Sequence, residues 1–194
     1  MSKNILLGVT GSIAASKTEI LYKKLIDKYN IKIFSTAEGL KYLSEEFLNE
    51  VDVYSSWDEF KGSPHIDYAR WADLIIIYPA TANFLAKLNS GVADNLLLST
   101  VLMHEKPIYI APAMHEEMFE DINTQENINK LSNYHIICGP RFGKLDIGDE
   151  GTGRLIEPEE LLKFLTKSKE TIVVTSGPTY EKIDPVRVIT NLSS

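Results

Sequence analysis

An α/β fold, a doubly wound parallel sheet with helices on both faces in a three-layer sandwich, is what three observations in this sequence predict. Residues 74–78, Leu-Ile-Ile-Ile-Tyr, form an unbroken apolar run of the kind that marks a parallel strand covered on both faces. Roughly five or six short apolar runs alternate with segments of helical spacing over the first 168 residues. Several of these runs end in small, hydroxyl-bearing or amide residues, and in an open α/β sheet ligands bind in the crevice at the carboxyl ends of the strands. A chain of 194 residues holds one full domain of this kind and no second complete one.

The composition narrows the function classes. A hydrophobic content of 44% and a mean hydropathy of −0.10 fit a soluble globular chain with a sizeable core. The net charge of −7 offers no basic footprint, so nucleic acid is not expected as a partner. No stretch approaches the ~20 apolar residues of a membrane span. A single cysteine, Cys138, excludes an intrachain disulfide framework and fits a reducing compartment. The N-terminal Met1-Ser2-Lys3-Asn4 leads into a strand without the cleavage site of a signal peptide, which makes a cytoplasmic location the expectation. No metal site is expected.

Residues 4–10 read as the first strand, and Gly11-Ser12-Ile13-Ala14-Ala15-Ser16-Lys17 as a tight turn into a helix continuing to about residue 29. A strand, a glycine turn and a helix start present free backbone N–H groups to a phosphate. The turn lacks the Gly-x-Gly-x-x-Gly spacing of a dinucleotide fingerprint and the Gly-Lys-Ser/Thr of a P-loop, so it fits a mononucleotide phosphate or a plain structural turn. Residues 31–34 form a second strand that ends in the hydroxyls of Ser35 and Thr36. Residues 38–49 have helical spacing, 51–54 form a weak strand, and 55–64 a polar loop with Gly62 and Pro64. That loop delivers His65 just ahead of the strand at 74–78, where a lone histidine at a helix start is either a catalytic group or an ordinary cap.

The central strand ends in Pro79-Ala80-Thr81-Ala82-Asn83, where Thr81 or Asn83 can cap the next helix. Asn89-Ser90-Gly91-Val92-Ala93-Asp94-Asn95 marks a second helix boundary, and the two turns read as walls of one site. An apolar helix over 96–104 precedes a buried strand at 107–111, which ends in Pro112-Ala113-Met114-His115-Glu116-Glu117-Met118. A helix at 124–133 and a strand at 135–138 follow. Residues 139–153 are too rich in glycine and charge for a helix or buried strand and read as a loop that is either functional or disordered. Residues 158–167 close the domain as a helix with Pro158 in its first turn. The alternation as a whole predicts a flavodoxin-like or Rossmann-like sheet. Thr171-Ile172-Val173-Val174-Thr175-Ser176-Gly177-Pro178-Thr179 resembles the start of the chain, and reads either as the first element of a second α/β domain or as a last edge strand of the first.

With the elements placed, a family resemblance is carried by Gly11-Ser12-Ile13-Ala14-Ala15-Ser16-Lys17, His65-Ile66, Trp71-Ala72-Asp73, Pro79-Ala80-Thr81-Ala82-Asn83, Gly91-Val92-Ala93-Asp94-Asn95-Leu96-Leu97 and Pro112-Ala113-Met114. In order and spacing these resemble the flavin-dependent cysteine decarboxylases, and among them the phosphopantothenoylcysteine decarboxylases of coenzyme A biosynthesis. The resemblance covers residue 4 to about residue 167. Ser176-Gly177-Pro178-Thr179 and Ile183-Asp184-Pro185-Val186-Arg187 look like the opening of the phosphopantothenate–cysteine ligase domain that follows in bacterial fusions. The expected division is therefore a flavoprotein domain over 1–168 and the start of a ligase-like domain over 169–194.

The resemblance implies a domain that binds FMN between the subunits of a trimer or a multiple of trimers. It implies that Gly11, Ser12, Ile13, Ser35 and Thr36 hold the phosphate and ribityl chain, and that Ala80, Thr81, Ala82, Asn83, Ser99 and Thr100 border the flavin. His65 is implied as the active-site base, and Met114, His115, Gly148 and Arg154 as contacts for the substrate, 4'-phosphopantothenoylcysteine. In the family, oxidation of the cysteinyl Cα–Cβ–S unit turns the sulfur into an electron sink for loss of the adjacent carboxylate, with the protein supplying position and acid-base help. The sequence departs from the family pattern at two places. His115 stands where the family has the Asn that grips the substrate carboxylate, and Ile147 stands where the family clamp has its proton-donating Cys. An FMN-binding relative with lost or altered activity, stopping at an ene-thiol or serving as a partner of the ligase, is the alternative that these departures raise.

Overall fold

The computed structural model describes residues 2–145 and 148–166, and the backbone alone of 180–182 and 188–190. Six parallel strands form its main sheet: β1 (Asn4–Val9), β2 (Asn30–Ser35), β3 (Val53–Tyr54), β4 (Leu74–Ala80), β5 (Tyr109–Pro112) and β6 (Ile136–Ile137). Their order across the sheet is β3-β2-β1-β4-β5-β6. The chain winds outward from β1 through β2 to β3, returns to β4, and then winds the other way, so the topological switch point falls between β1 and β4. Without the two-residue edge strand β3 the order is that of a five-stranded flavodoxin-like sheet, and with it the order is Rossmann-like.

Helices α1 (Ser16–Leu25) and α9 (Pro158–Thr166) cover one face, and α5 (Ala82–Asn89), α6 (Leu96–Met103) and α8 (Ile122–Ser132) cover the other. Successive strand residues point to opposite faces. Ile5, Leu7, Ile76 and Tyr78 accordingly join the core under α1 and α9, whereas Leu6, Ile75 and Ile77 join the core under α5 and α6. Each of these side chains is fully buried, which is why the strands read as unbroken apolar runs. Gly8 lets α6 approach β1: a Cβ there would lie 2.6 Å from Ile77 Cδ1 and 2.9 Å from Leu97 Cδ1.

Three segments differ from the sequence expectation. The first helix ends at Leu25, because Asn30 must already pair with Asn4 as β2 begins. Residues 38–49 split into α2 (Ala37–Leu40) and α3 (Glu45–Glu50), since Thr36 and Ser44 each accept a hydrogen bond from a backbone N–H three residues on and so start separate helices. Residues 139–153, expected as a loop, contain an antiparallel hairpin of β7 (Arg141–Lys144) and β8 (Glu150–Arg154). The helices α4 (Pro64–Trp71) and α7 (Glu116–Glu120) complete this part of the chain. The strand expected over 171–179 lies outside the described residues. Beyond it, β9 (Tyr180–Lys182) and β10 (Val188–Thr190) pair antiparallel, apart from the main sheet. Among the described residues no helix is long and apolar enough to cross a membrane.

The carboxyl end of β4 is where the sheet gives way to a site. Ile77 pairs with Ile110, but Ala80 pairs with Pro112, so β4 advances three residues while β5 advances two. Such a bulge disrupts the ladder and leaves backbone groups to be satisfied in other ways. Two buried threonines supply the donors: Thr18 Oγ1 on α1 donates to the Tyr78 carbonyl at 2.8 Å, and Thr10 Oγ1 donates to the Pro79 carbonyl at 2.9 Å. Thr18→Val keeps the shape and removes the donor, and is expected to cost about 1–3 kcal/mol through the unpaired Tyr78 carbonyl. A urea midpoint unchanged by the substitution would show that this bond does not support the strand end.

Candidate active site

The carboxyl ends of β1, β2, β4 and β5, together with the β7–β8 hairpin, enclose a cavity of about 990 Å³. That is at the upper end of the ~300–1,000 Å³ typical of small-molecule sites. Each wall is set by local chemistry. After β1, Ser12 caps the 3-10 turn at Ile13–Ala15. After β2, Thr36 Oγ1 accepts from Gly39 N at 3.1 Å. After β4, Thr81 caps α5 through Phe84 N at 3.3 Å, and Asn95 caps α6 through Leu98 N at 2.9 Å. Thr10 joins the first wall to the third, since its hydroxyl also accepts from Thr81 N at 3.0 Å.

The hairpin forms the remaining wall, and its glycines mark close approaches that exclude side chains. A Cβ on Gly153 would lie 2.1 Å from the Met114 carbonyl oxygen, and one on Gly151 would lie 2.7 Å from the Glu116 carboxylate. Into this space Met114 N donates to the Gly153 carbonyl at 3.0 Å, and Glu116 Oε1 accepts from Thr152 N at 2.6 Å. Composition hid this strand pair because its glycines, which argue against a strand when read alone, are required by the neighbours the hairpin packs on.

Of the residues expected in the site, Gly11, Ser12, Ile13, Thr36, Thr81, Ala82, Asn83, Met114, His115 and Arg154 line the cavity. Ser35, Ala80, Ser99 and Thr100 lie behind its walls and are buried. Ser35 Oγ donates to the Thr36 carbonyl at 2.9 Å, Ser99 Oγ to the Ala93 carbonyl at 3.3 Å, and Thr100 Oγ1 to the Leu96 carbonyl at 2.7 Å, so these hydroxyls serve the chain around them. Gly148 is exposed near the hairpin turn with φ of 91°, and it lies outside the lining. His65 is half-buried on α4, with its ring edge-on to Trp57 at 5.0 Å between centroids, and it does not line the cavity of its own subunit. Ile147 and Asp146 fall outside the described residues. Cys138 is fully buried and outside the lining, and burial pushes its thiol up to about 12.

Several of the charged groups around the cavity are arranged in pairs. Glu157 accepts from Lys17 Nζ at 2.8 Å and also binds Arg154, so it links α1 to the hairpin. Its carboxyl is held below the ordinary range, first by the Lys17 hydrogen bond and also by Arg154. Lys87 pairs with Asp94 at 2.5 Å, which lowers the Asp94 carboxyl in the same way. His115 Nδ1 lies 2.7 Å from Glu117 Oε2. Thr10, Glu116 and the Lys17–Glu157 pair carry no motif that sequence reasoning could have used, because the bonded residues are 36 to 140 positions apart. Ile13, Leu98, Met114 and Leu155 supply apolar lining, and Ser12, Thr36, His115 and Arg154 supply hydroxyls, an imidazole and a guanidinium. The set suits a partly apolar ligand that carries an anionic group.

The chain belongs to the flavoprotein family. Residues 1–170 match the family described as Flavoprotein, and residues 167–194 match the DNA/pantothenate metabolism flavoprotein C-terminal domain. Among curated relatives, the coenzyme A biosynthesis bifunctional protein CoaBC of Bacillus subtilis (strain 168) is 39% identical over 100% of the chain, and that of Escherichia coli (strain K12) is 33% identical over 99%. The chain spans about half the length of these relatives, 52% and 51%. Among solved structures, a cysteine-to-serine mutant of PPC decarboxylase complexed with pantothenoylaminoethenethiol superposes with a TM-score of 0.80 at 28% identity, over 85% of this chain and 97% of that one. The FMN binding protein AtHal3 follows at 0.77 and 28%, over 85% and 95%. The epidermin biosynthesis protein EpiD from Staphylococcus aureus gives 0.74 and 28%, over 84% and 99%.

Burial and the raised pKa keep Cys138 in its thiol form and out of reach, and only the thiolate is an effective nucleophile. Iodoacetamide at about pH 8 is expected to leave Cys138 unmodified in the folded protein and to alkylate it in urea. Rapid labelling of the native protein, followed by mass spectrometry, would place this thiol within reach of the cavity after all.

Proposed function

We propose that this chain is the decarboxylase half of a bifunctional coenzyme A biosynthesis protein, and that it releases CO2 from 4'-phosphopantothenoylcysteine to yield 4'-phosphopantetheine. The observation that carries the reading is the convergence of Gly11, Ser12, Ile13, Thr81, Asn83, Met114, His115 and Arg154, from four separate elements, on one cavity. The cofactor is FMN, and the cavity fits it: the glycine-serine turn after β1 suits one phosphate, and the same cavity has apolar lining from Ile13, Leu98 and Met114. Bound there, FMN supplies the two-electron chemistry at the Cα–Cβ–S unit that makes loss of the carboxylate feasible. Ser12 and Thr36 hold the phosphate end, Ile13, Leu98 and Met114 exclude water from the ring, and Thr81 and Asn83 orient its polar edge. His115 and Arg154 hold the substrate carboxylate.

His65 is the proposed base. Because it does not line the cavity of its own subunit, the role requires α4 of a second copy to close the site. A trimer, or a multiple of trimers, meets that requirement with a closed ring of like contacts. Residues 169–194 are the start of a ligase-like domain, in keeping with the C-terminal family match and with the bifunctional relatives.

A second reading is favoured by the seclusion of Cys138. The clamp position of the family cysteine is Ile147, and the thiol that remains is buried away from the cavity. On this reading the protein binds FMN and releases CO2 but stalls with an ene-thiol, for want of a proton donor.

FMN-reconstituted protein is expected to be yellow, to sediment as a multiple of three subunits, and to release CO2 from 4'-phosphopantothenoylcysteine. His65→Asn is expected to keep the flavin and to slow CO2 release at least about 10²-fold. Failure to take up FMN, or absence of CO2 release, would overturn the decarboxylase reading. Anaerobic mixing divides the two readings: a flavin that ends oxidised beside a saturated thiol supports full turnover. About one equivalent of bleaching beside an ene-thiol, relieved by Ile147→Cys, supports the stalled form.

A further inference from the structure

Among the described residues, His115 lines the cavity and combines a departure from the family pattern with a carboxylate partner on its own helix. Its Nδ1 lies 2.7 Å from Glu117 Oε2, and its side chain is 28% exposed while that of Glu117 is 81% exposed. The imidazole is thus at the cavity wall and its counter-charge faces outward. A carboxylate at this distance favours the imidazolium over the neutral ring and fixes the ring plane through Nδ1–H. The Glu117 carboxyl is held below its ordinary range, first by this hydrogen bond. A cation at a helix start is opposed by the helix dipole, and Glu116 and Glu117 in the first turn of α7 offset that opposition.

We propose that Glu117 is a positioning residue that keeps His115 as an imidazolium, and that this cation gives the cavity a carboxylate grip that holds at low pH and releases as pH rises. The inference rests on the decarboxylase reading for the identity of the carboxylate, which is that of the cysteinyl substrate. An amide at this position would offer a hydrogen bond whose strength is indifferent to pH. An imidazolium offers a charge-assisted one, roughly twice as strong, that exists only in the protonated state. Protonation and carboxylate binding are therefore linked, and rising pH removes the charge and weakens the complex.

The other charged groups do not reproduce this behaviour. Glu116 on α7 is taken by Thr152 N, Arg154 on β8 and Lys17 on α1 share Glu157, and Lys87 on α5 pairs with Asp94. Lys144 on β7 and Glu38 on α2 also line the cavity. Among the described residues that line the cavity, the group whose ordinary pKa lies between about pH 5.5 and about pH 8.5 is His115, and a His65→Asn profile that superimposes on the parent's separates its titration from that of the proposed base.

The test uses the FMN-loaded full chain and two unreactive probes in calorimetric titrations across that range. Pantothenoylserine carries the carboxylate without the thiol, and pantothenoylethanolamine lacks both. Binding of pantothenoylserine is expected to weaken with rising pH, approaching tenfold per pH unit above the imidazolium titration, while pantothenoylethanolamine stays flat. Glu117→Gln is expected to move the fall to lower pH, Glu117→Asp to restore it, and His115→Asn to bind the acid with no pH dependence. Melting curves and flavin spectra confirm that each variant remains folded and loaded. A flat profile for pantothenoylserine with the parent protein, or a Glu117→Gln profile that superimposes on the parent's, would overturn the proposal and leave the decarboxylase reading standing. Absence of binding by either probe at every pH would overturn both.

Discussion

Backbone hydrogen bonding at the end of β4 is the constraint on which the site depends. A parallel sheet can stop pairing only where other groups take over its orphaned carbonyls, because an unpaired buried carbonyl is costly. At the bulge between Ile77 and Ala80 that task falls to the hydroxyls of Thr18 and Thr10. Thr10 then accepts from Thr81 N, which sets the start of α5 and the position of Asn83. One buried hydroxyl thereby holds the ends of β1 and β4 together at the switch point, where the ligand crevice opens. Tyr78 extends the same logic toward α9, for its hydroxyl donates to the Ile156 carbonyl at 2.7 Å. Burial raises the Tyr78 pKa, so it remains a neutral donor.

The hairpin is attached to this frame by polar bonds rather than by an apolar core. Phe142 and both ends of the turn are exposed, whereas Gly151 and Gly153 are buried against Glu116 and Met114. A backbone-to-backbone contact through glycine fixes distance without adding bulk, which leaves the neighbouring volume for a ligand. Glu157 provides the second attachment, drawing Lys17 and Arg154 to a single carboxylate. Both cations are partly exposed, so the value of this link lies more in where it holds the two side chains than in net stability.

His65 and His115 stand in different settings, one outside the cavity lining and one within it. His115 faces the cavity of its own chain, paired with Glu117. His65 leans on Trp57, in a 3-10 turn braced by Glu59, whose carboxylate accepts from Ser55 N and Ser56 N at 2.7 Å each. The α4 helix thus holds His65 against Trp57 and outside the cavity lining.

Local pattern alone determined the doubly wound sheet, the strand ends that line the cavity, and the turns at Ser12, Thr36 and Thr81, because strand periodicity and helix capping act over a few residues. Motif spacing was also enough for the flavoprotein family. The division of the predicted residues was beyond its reach: Thr36 and Ser35 are neighbours with similar hydroxyls, yet Thr36 lines the cavity and Ser35 is turned into the chain. The hairpin at 141–154 was equally hidden, since only Met114 and Glu116 explain why glycines belong in it. Tertiary structure decided these points because a side chain's direction, and the neighbour that makes a glycine necessary, are set by contacts between segments far apart in the chain.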